Sequence, residues 1–187
     1  MWIRIFGIIA ALATASSSFA RVIETPVSQI EIISPDNENR DPELGPRICL
    51  RFEMPNEVRG IEIGNARLEI RLRLQLESRD SLVNFEAFGL ASDWRENQQW
   101  DDFGTPGGDL DSNYYSCATI KCGLDDMVSL DVTGLVQTWN MSDEANYGLI
   151  LVPKTTDSNA FSRLDYTREQ LRNLAVLKIL IPGQDAE

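Results

Sequence analysis

Apolar and polar residues alternate without a break from Arg67 to Glu77. Successive side chains of an extended chain point to opposite faces, so Leu68, Ile70, Leu72, Leu74 and Leu76 make one apolar row. Arg67, Glu69, Arg71, Arg73, Gln75 and Glu77 make a charged row behind it. A helix would scatter both sets around its circumference. The stretch therefore predicts a long strand with one face in a core and one in water. Burying that apolar row is worth roughly 10 kcal/mol gross, and a one-residue slip would put all of it in solvent.

The same reading predicts strands over 28–34, 47–54, 81–90, 127–132, 149–152, 160–166 and 174–181. In 47–54, Ile48, Leu50, Phe52 and Met54 point one way and Arg47, Cys49, Arg51 and Glu53 the other. Asp131 or Thr133 caps one helical turn that holds Leu135, Val136 and Trp139 on its inner side. Thr167-Arg168-Glu169-Gln170 has the spacing of a capping box. Between the strands, 92–113 reads as one long irregular loop, rich in Asp, Gly and Trp; loops of this length are uncommon and tend to be functional or pinned. About eight strands with hardly any helix define an all-β class. Without Asn-Gly or Asp-Gly hairpin turns between neighbours, the expected form is a two-sheet antiparallel β-sandwich of jelly-roll kind with one short helical turn.

The first residues change the picture of the compartment. A short positive start with Arg4, an apolar run to Ala15 and a small-x-small pair at Ser18 and Ala20 predict a secretory signal peptide over 1–20, with a single domain over 21–187. No later segment is long and apolar enough to span a bilayer. The expected location is secreted or periplasmic. The net charge of −12 argues against nucleic acid as a partner and favours solubility or cation binding. In an oxidising compartment Cys117 and Cys122 are spaced to close a small disulfide loop, leaving Cys49 either a buried free thiol or an alternative partner. Three cysteines and no histidine make a zinc site or a histidine-based nucleophilic triad improbable.

Several segments, taken in order, resemble a known family. Arg47-Ile48-Cys49-Leu50-Arg51-Phe52 followed by Ala66-Arg67-Leu68-Glu69-Ile70 is similar to the paired strands of DNRLRE domains. Trp94-Arg95-Glu96 with Trp100, Pro106-Gly107-Gly108-Asp109, Asp131-Val132-Thr133 with Leu135, Val136 and Trp139, and Asn146-Tyr147-Gly148-Leu149 resemble that family's later motifs. Arg172-Asn173-Leu174 stands where the family carries Pro-x-Leu. The family resembles carbohydrate-binding module family 96. The resemblance implies a non-catalytic jelly-roll module of a secreted bacterial protein, with an extracellular polysaccharide as partner; some relatives are attached to alginate lyases.

Three groups of residues are candidates for a site. Arg67, Arg71 and Arg73 share a strand face, with Arg47 and Arg51 possible neighbours across it; guanidinium groups grip carboxylates bidentately and suit a uronic-acid polymer, while the competing reading is cross-strand ion pairing with Glu69 and Glu77. Asp101, Asp102, Asp109, Asp111 and Asn113 offer the hard oxygen donors that calcium takes, against a competing reading of turn chemistry. Tyr114 and Tyr115, adjacent on an extended segment, present one ring outward for stacking on a sugar, whereas Trp94 and Trp139 read as core plugs. The leading expectation is a glycan-binding module, followed by a structural surface-assembly module. A polysaccharide lyase with a tyrosine base is third.

Overall fold

The computed structural model describes residues 20–35, 46–72, 82–103, 105, 107–121, 127–141, 145–155 and 166–183. Among these the chain forms eight strands: β1 (Arg21–Ile33), β2 (Arg47–Phe52), β3 (Asn65–Arg71), β4 (Leu82–Leu90), β5 (Leu110–Lys121), β6 (Met127–Asp131), β7 (Leu149–Thr155) and β8 (Ala175–Ile181). Two helices accompany them, α1 (Thr133–Met141) and α2 (Arg168–Leu174), where the sequence predicted one helical turn. The expected signal peptide up to residue 19, Arg73, Leu74, Leu76, Cys122 and most of the strand expected over 160–166 lie outside the described residues.

All pairings between these strands are antiparallel, in the order β5-β4-β7-β2-β1-β8-β3-β6. The all-β expectation holds, but the strands run as one continuous series because β1 serves two ladders. Residues 21–26 of β1 pair with β8, and residues 27–33 pair with β2. The register shifts between Val27 and Gln29, directly after Pro26. A proline removes a ladder donor and a bulge bends the strand, so the crossing falls where the chain gives up least. The ends of the series, β5 and β6, pack side by side without a ladder between them among the described residues.

The alternating stripe is buried as its pattern requires: Leu68, Ile70 and Leu72 are sealed in the main core. They share it with Val128, Leu130, Leu177 and Ile179 from their own ladder and with Leu50, Phe52, Phe85 and Leu149 from the other. Their alternates Arg67 and Arg71 are exposed, with Glu69 half-buried.

The opposite face of β2 carries Arg47, Cys49 and Arg51. Cys49 is fully buried there as a free thiol, one of the two states the sequence left open. The described residues of the 91–109 loop fold back over this face, and Trp94, Trp100 and Phe103 join Ile33, Cys49, Leu90 and Ile150 in a second apolar cluster. Trp94 Nε1 donates to the Tyr147 carbonyl at 2.6 Å. Glu31, buried on β1, accepts from Asn97 N–H and pairs with Arg168 of α2 at 3.0 Å. Gly107 (φ 80°) sits against the Trp100 ring, where an added Cβ would come within 2.5 Å of Trp100 Cζ2. The loop is thus pinned by packing and by Arg, Glu and Trp contacts.

α2 carries the expected capping box: Thr167 Oγ1 accepts from Gln170 N–H at 3.2 Å, and Gln170 Oε1 accepts from Thr167 N–H at 2.8 Å.

Candidate functional site

The seam between β5 and β6 opens into a groove of about 110 Å³. Its walls come from Ala87 and Phe88 on β4, Asn113 to Ser116 on β5, and Asp131, Val132, Gly134 and Leu135 at the junction of β6 with α1. The groove exists because of an irregularity in β5. Tyr115 pairs with Phe88 and Asp111 with Gly89, so Ser112, Asn113 and Tyr114 bulge out of the ladder. Bulges re-aim side chains and are common beside functional sites.

Each side of the bulge is held. Asp111 Oδ1 accepts from Asn113 N–H at 3.0 Å, a turn characteristic of aspartate. The Tyr114 hydroxyl meets Thr138 Oγ1 of α1 at 2.6 Å, and its ring packs against the main core. Gly89 makes room: a Cβ there would meet Leu135 Cδ1 at 3.1 Å and Tyr114 Cδ2 at 3.3 Å. Tyr114 is therefore part of the frame, while Tyr115 is 53% exposed and faces out, as the adjacent pair requires. The Tyr115 ring lies 5.2 Å from that of Phe88, tilted by 51°, which fixes its orientation. Its hydroxyl is 3.4 Å from Glu86 Oε1, and Glu86 in turn pairs with Lys154 at 2.7 Å. The phenol is pushed up to about 12, first by its hydrogen bond with Cys117, then by desolvation and the charge of Glu86.

On the facing wall, Asp131 Oδ1 accepts from both the hydroxyl (2.6 Å) and the N–H (3.0 Å) of Thr133. These bonds, the hydroxyl foremost, hold its carboxyl below the usual range, with Arg67 adding to the effect. Thr133 Oγ1 also receives Ala66 N–H at 2.9 Å, tying the start of α1 to β3. The Asp-Val-Thr spacing was legible as a cap. Its place on the wall of a groove was not, because that depends on the bulge in β5. Phe88, Ser116 and Gly134 carried no signal of their own.

The expected arginine row lies elsewhere. Arg67 and Arg71 are on β3, with Arg67 opposite Lys178 of β8 and Asp131 of β6. Lys178 bonds Glu69 at 2.8 Å and approaches Glu24 at 3.6 Å. On this face it is Lys178, and not one of the expected arginines, that takes Glu69. Arg73 lies outside the described residues. Arg47 and Arg51 do not extend the row: β1 and β8 separate β2 from β3, and the two guanidinium groups stack on Trp100 and Trp94.

Nor does the structure gather the five expected calcium ligands. Asp101 and Asp102 sit in a 3-10 turn at Trp100–Asp102, where Asp102 Oδ2 accepts from Gln99 N–H at 2.8 Å. Asp109 is bonded by the hydroxyls of Thr105 and Ser92, which hold its carboxyl below the usual range. Asp111 is engaged by Asn113, and Asn113 lines the groove. Among the described residues no three acidic, cysteine or histidine side chains converge as a metal site. The carboxylates of Asp102, Asp109 and Asp111 instead serve local turn or loop geometry. Cys117 is an exposed free thiol on the outer face of β5, and its expected partner Cys122 is outside the described residues; Cys49 is a buried free thiol. No helix among the described residues is long and apolar enough to cross a membrane.

No protein-family model matches the chain, and comparison with curated proteins finds no match.

Proposed function

We propose that the protein is a non-catalytic carbohydrate-binding module of a secreted or periplasmic bacterial protein, and that its sugar site is the groove at the β5–β6 seam. The observation that carries this reading is Tyr115: an exposed aromatic ring held at a fixed tilt by Phe88 beside a groove that also presents Asn113 and Asp131. A flat apolar face with hydrogen-bonding groups around it suits a sugar ring. We read the two ladders that share β1 as the sheets of a jelly-roll sandwich, in keeping with the resemblance to DNRLRE domains. A lyase is less well supported. A phenol pushed up to about 12 is a weak source of base near neutrality, where a general base works best with a pKa close to the operating pH.

Affinity electrophoresis of the full chain through gels containing a panel of extracellular polysaccharides tests the reading. Retardation by at least one polymer, lost in Tyr115→Ala with the melting temperature kept, is the expected result. Mobility unaffected by every polymer would leave the structural surface-assembly module as the better account.

A further inference from the structure

We infer that residues 92–103 form a strap that α2 clasps shut over the second apolar cluster, and that the strap opens as a unit while the main core stays folded. The loop is built to move as one piece. Ala91 N–H donates to the Asp109 carbonyl at 3.0 Å, so its two ends meet at one neck, in the manner of an Ω-loop. Its inner turns are local: Gln98 N–H returns to the Arg95 carbonyl and Asp102 N–H to the Gln99 carbonyl. Side chains that reach single backbone atoms tie it to the sheet. Gln29 Nε2 and Arg51 Nη2 donate to the Trp94 carbonyl, and Trp94 Nε1 donates to the Tyr147 carbonyl.

The clasp is a buried carboxylate. Glu31 Oε2 on β1 takes both Asn97 N–H of the strap and Arg168 Nη1 of α2, the latter at 3.0 Å. Arg168 Nη2 also donates to Asn97 Oδ1 at 3.1 Å, so one arginine ties α2 to the sheet and to the strap together. Asn97 sits at φ 66°, a left-handed conformation that asparagine tolerates better than most residues. A second pair, Arg172 with Glu96, is half-exposed on both sides and adds little. Closure therefore depends on Arg168. With it, the sealed carboxylate is paired. Without it, the closed state carries an uncompensated buried charge, which an open strap returns to water. Cys49 stands opposite Glu31 in the β1–β2 ladder, inside the cluster that the strap covers, and so reports on opening.

Maleimide labelling of Cys49 in the full chain tests the inference, with Cys117→Ser and Cys122→Ser removing the other thiols. At low urea the labelling rate should stay flat, because opening a strap exposes far less surface than global unfolding. Arg168→Gln should raise the rate by about tenfold or more. Adding Glu31→Gln should bring it back, since no buried charge is then left unpaired. Arg172→Gln should leave the rate within about twofold. A rate that climbs from the first addition of urea with the slope of global unfolding would overturn the inference, and that arm needs no variant at Arg168. So would an unchanged rate in a folded Arg168→Gln protein, an equal acceleration by Arg172→Gln, or an acceleration that Glu31→Gln does not reverse.

Discussion

The guanidinium carbon of Arg47 lies 4.7 Å from the centre of the Trp100 ring. The same side chain donates through Nη1 to the Gly107 carbonyl, and Gly107 N–H returns to the Trp100 carbonyl at 2.8 Å. One arginine on β2 thus closes a small circuit that holds the 91–109 loop on the second apolar cluster. Arg51 repeats the arrangement farther along β2, 5.1 Å from the Trp94 ring and paired with Asp93 at 2.5 Å.

Arg47→Ala removes a stacked cation and a charged hydrogen bond together, and should cost about 2–3 kcal/mol in urea unfolding. Arg47→Lys should recover little, because an ammonium cannot reproduce a planar guanidinium stacked on an indole. The loop covers Cys49, so Arg47→Ala should also speed the reaction of that thiol with a maleimide under native conditions. A Cys117→Ser background keeps the exposed thiol from dominating the signal. An unchanged urea midpoint would show that packing alone holds the loop.

Two glycines with positive φ should respond very differently to alanine. At Gly148 (φ 87°) a Cβ would stand 2.2 Å from the Leu50 carbonyl oxygen, a backbone atom that cannot step aside. Asn146 fixes this turn from both sides, donating to the Phe52 carbonyl at 2.7 Å and accepting Gly148 N–H at 2.9 Å. Gly148→Ala should therefore cost more than about 3 kcal/mol or prevent folding. Gly60 (φ 72°) has nothing within 4 Å of its virtual Cβ, so Gly60→Ala should cost only the conformational strain of about 1–2 kcal/mol. Thermal melts of the two variants side by side would check the contrast.

What was legible followed the periodicity of the chain. The period-two stripe of β3 sets its own face, and capping boxes are local, so Leu68, Ile70 and the Thr167–Gln170 pair fall where their spacing puts them. β5 was hidden because its first half breaks the alternation: Asp111, Ser112 and Asn113 are polar residues that favour turns, and three residues leave the ladder. A buried Cys49 was one of two states the sequence left open; what covers it was illegible, since a distant loop and not a second sheet lies over that face of β2. The groove joins β5 to the start of α1, two segments whose contact no local pattern encodes.

Two ends of the pH scale should report on different residues. Asp93, Asp109 and Asp131 have depressed carboxyl pKa values, held down chiefly by Arg51, Thr105 and Thr133 respectively. A depressed acid stabilises the fold above the unfolded value of about 3.9, and that contribution is lost as pH falls through the folded value. Melting temperature should therefore fall below about pH 4, and Asp131→Asn should flatten that limb. Cys49 is raised to about 12 by burial, then by Glu31. Its unfolded thiol ionises near 8.5, so the fold should lose about 1.4 kcal/mol per pH unit from there upward. Cys49→Ala should remove that slope while lowering stability at pH 7. An alkaline limb identical in the two proteins would assign it to other groups.

Gly134 lets stability and binding be separated within the groove. It is the second residue of α1, lines the groove, and has open space for 4 Å around a virtual Cβ. Alanine restricts the unfolded chain and favours the helix, so Gly134→Ala should leave stability unchanged or raise it by up to about 1 kcal/mol. The added methyl takes up room at a residue that lines the proposed sugar groove with Tyr115, so the same variant should bind its polysaccharide more weakly. A site elsewhere on the molecule predicts a different pair of results: equal or higher stability with unchanged retention. Loss of affinity in a more stable protein cannot be ascribed to unfolding, which makes this variant more discriminating than removal of Tyr115. Urea denaturation and affinity electrophoresis on one preparation would read both quantities.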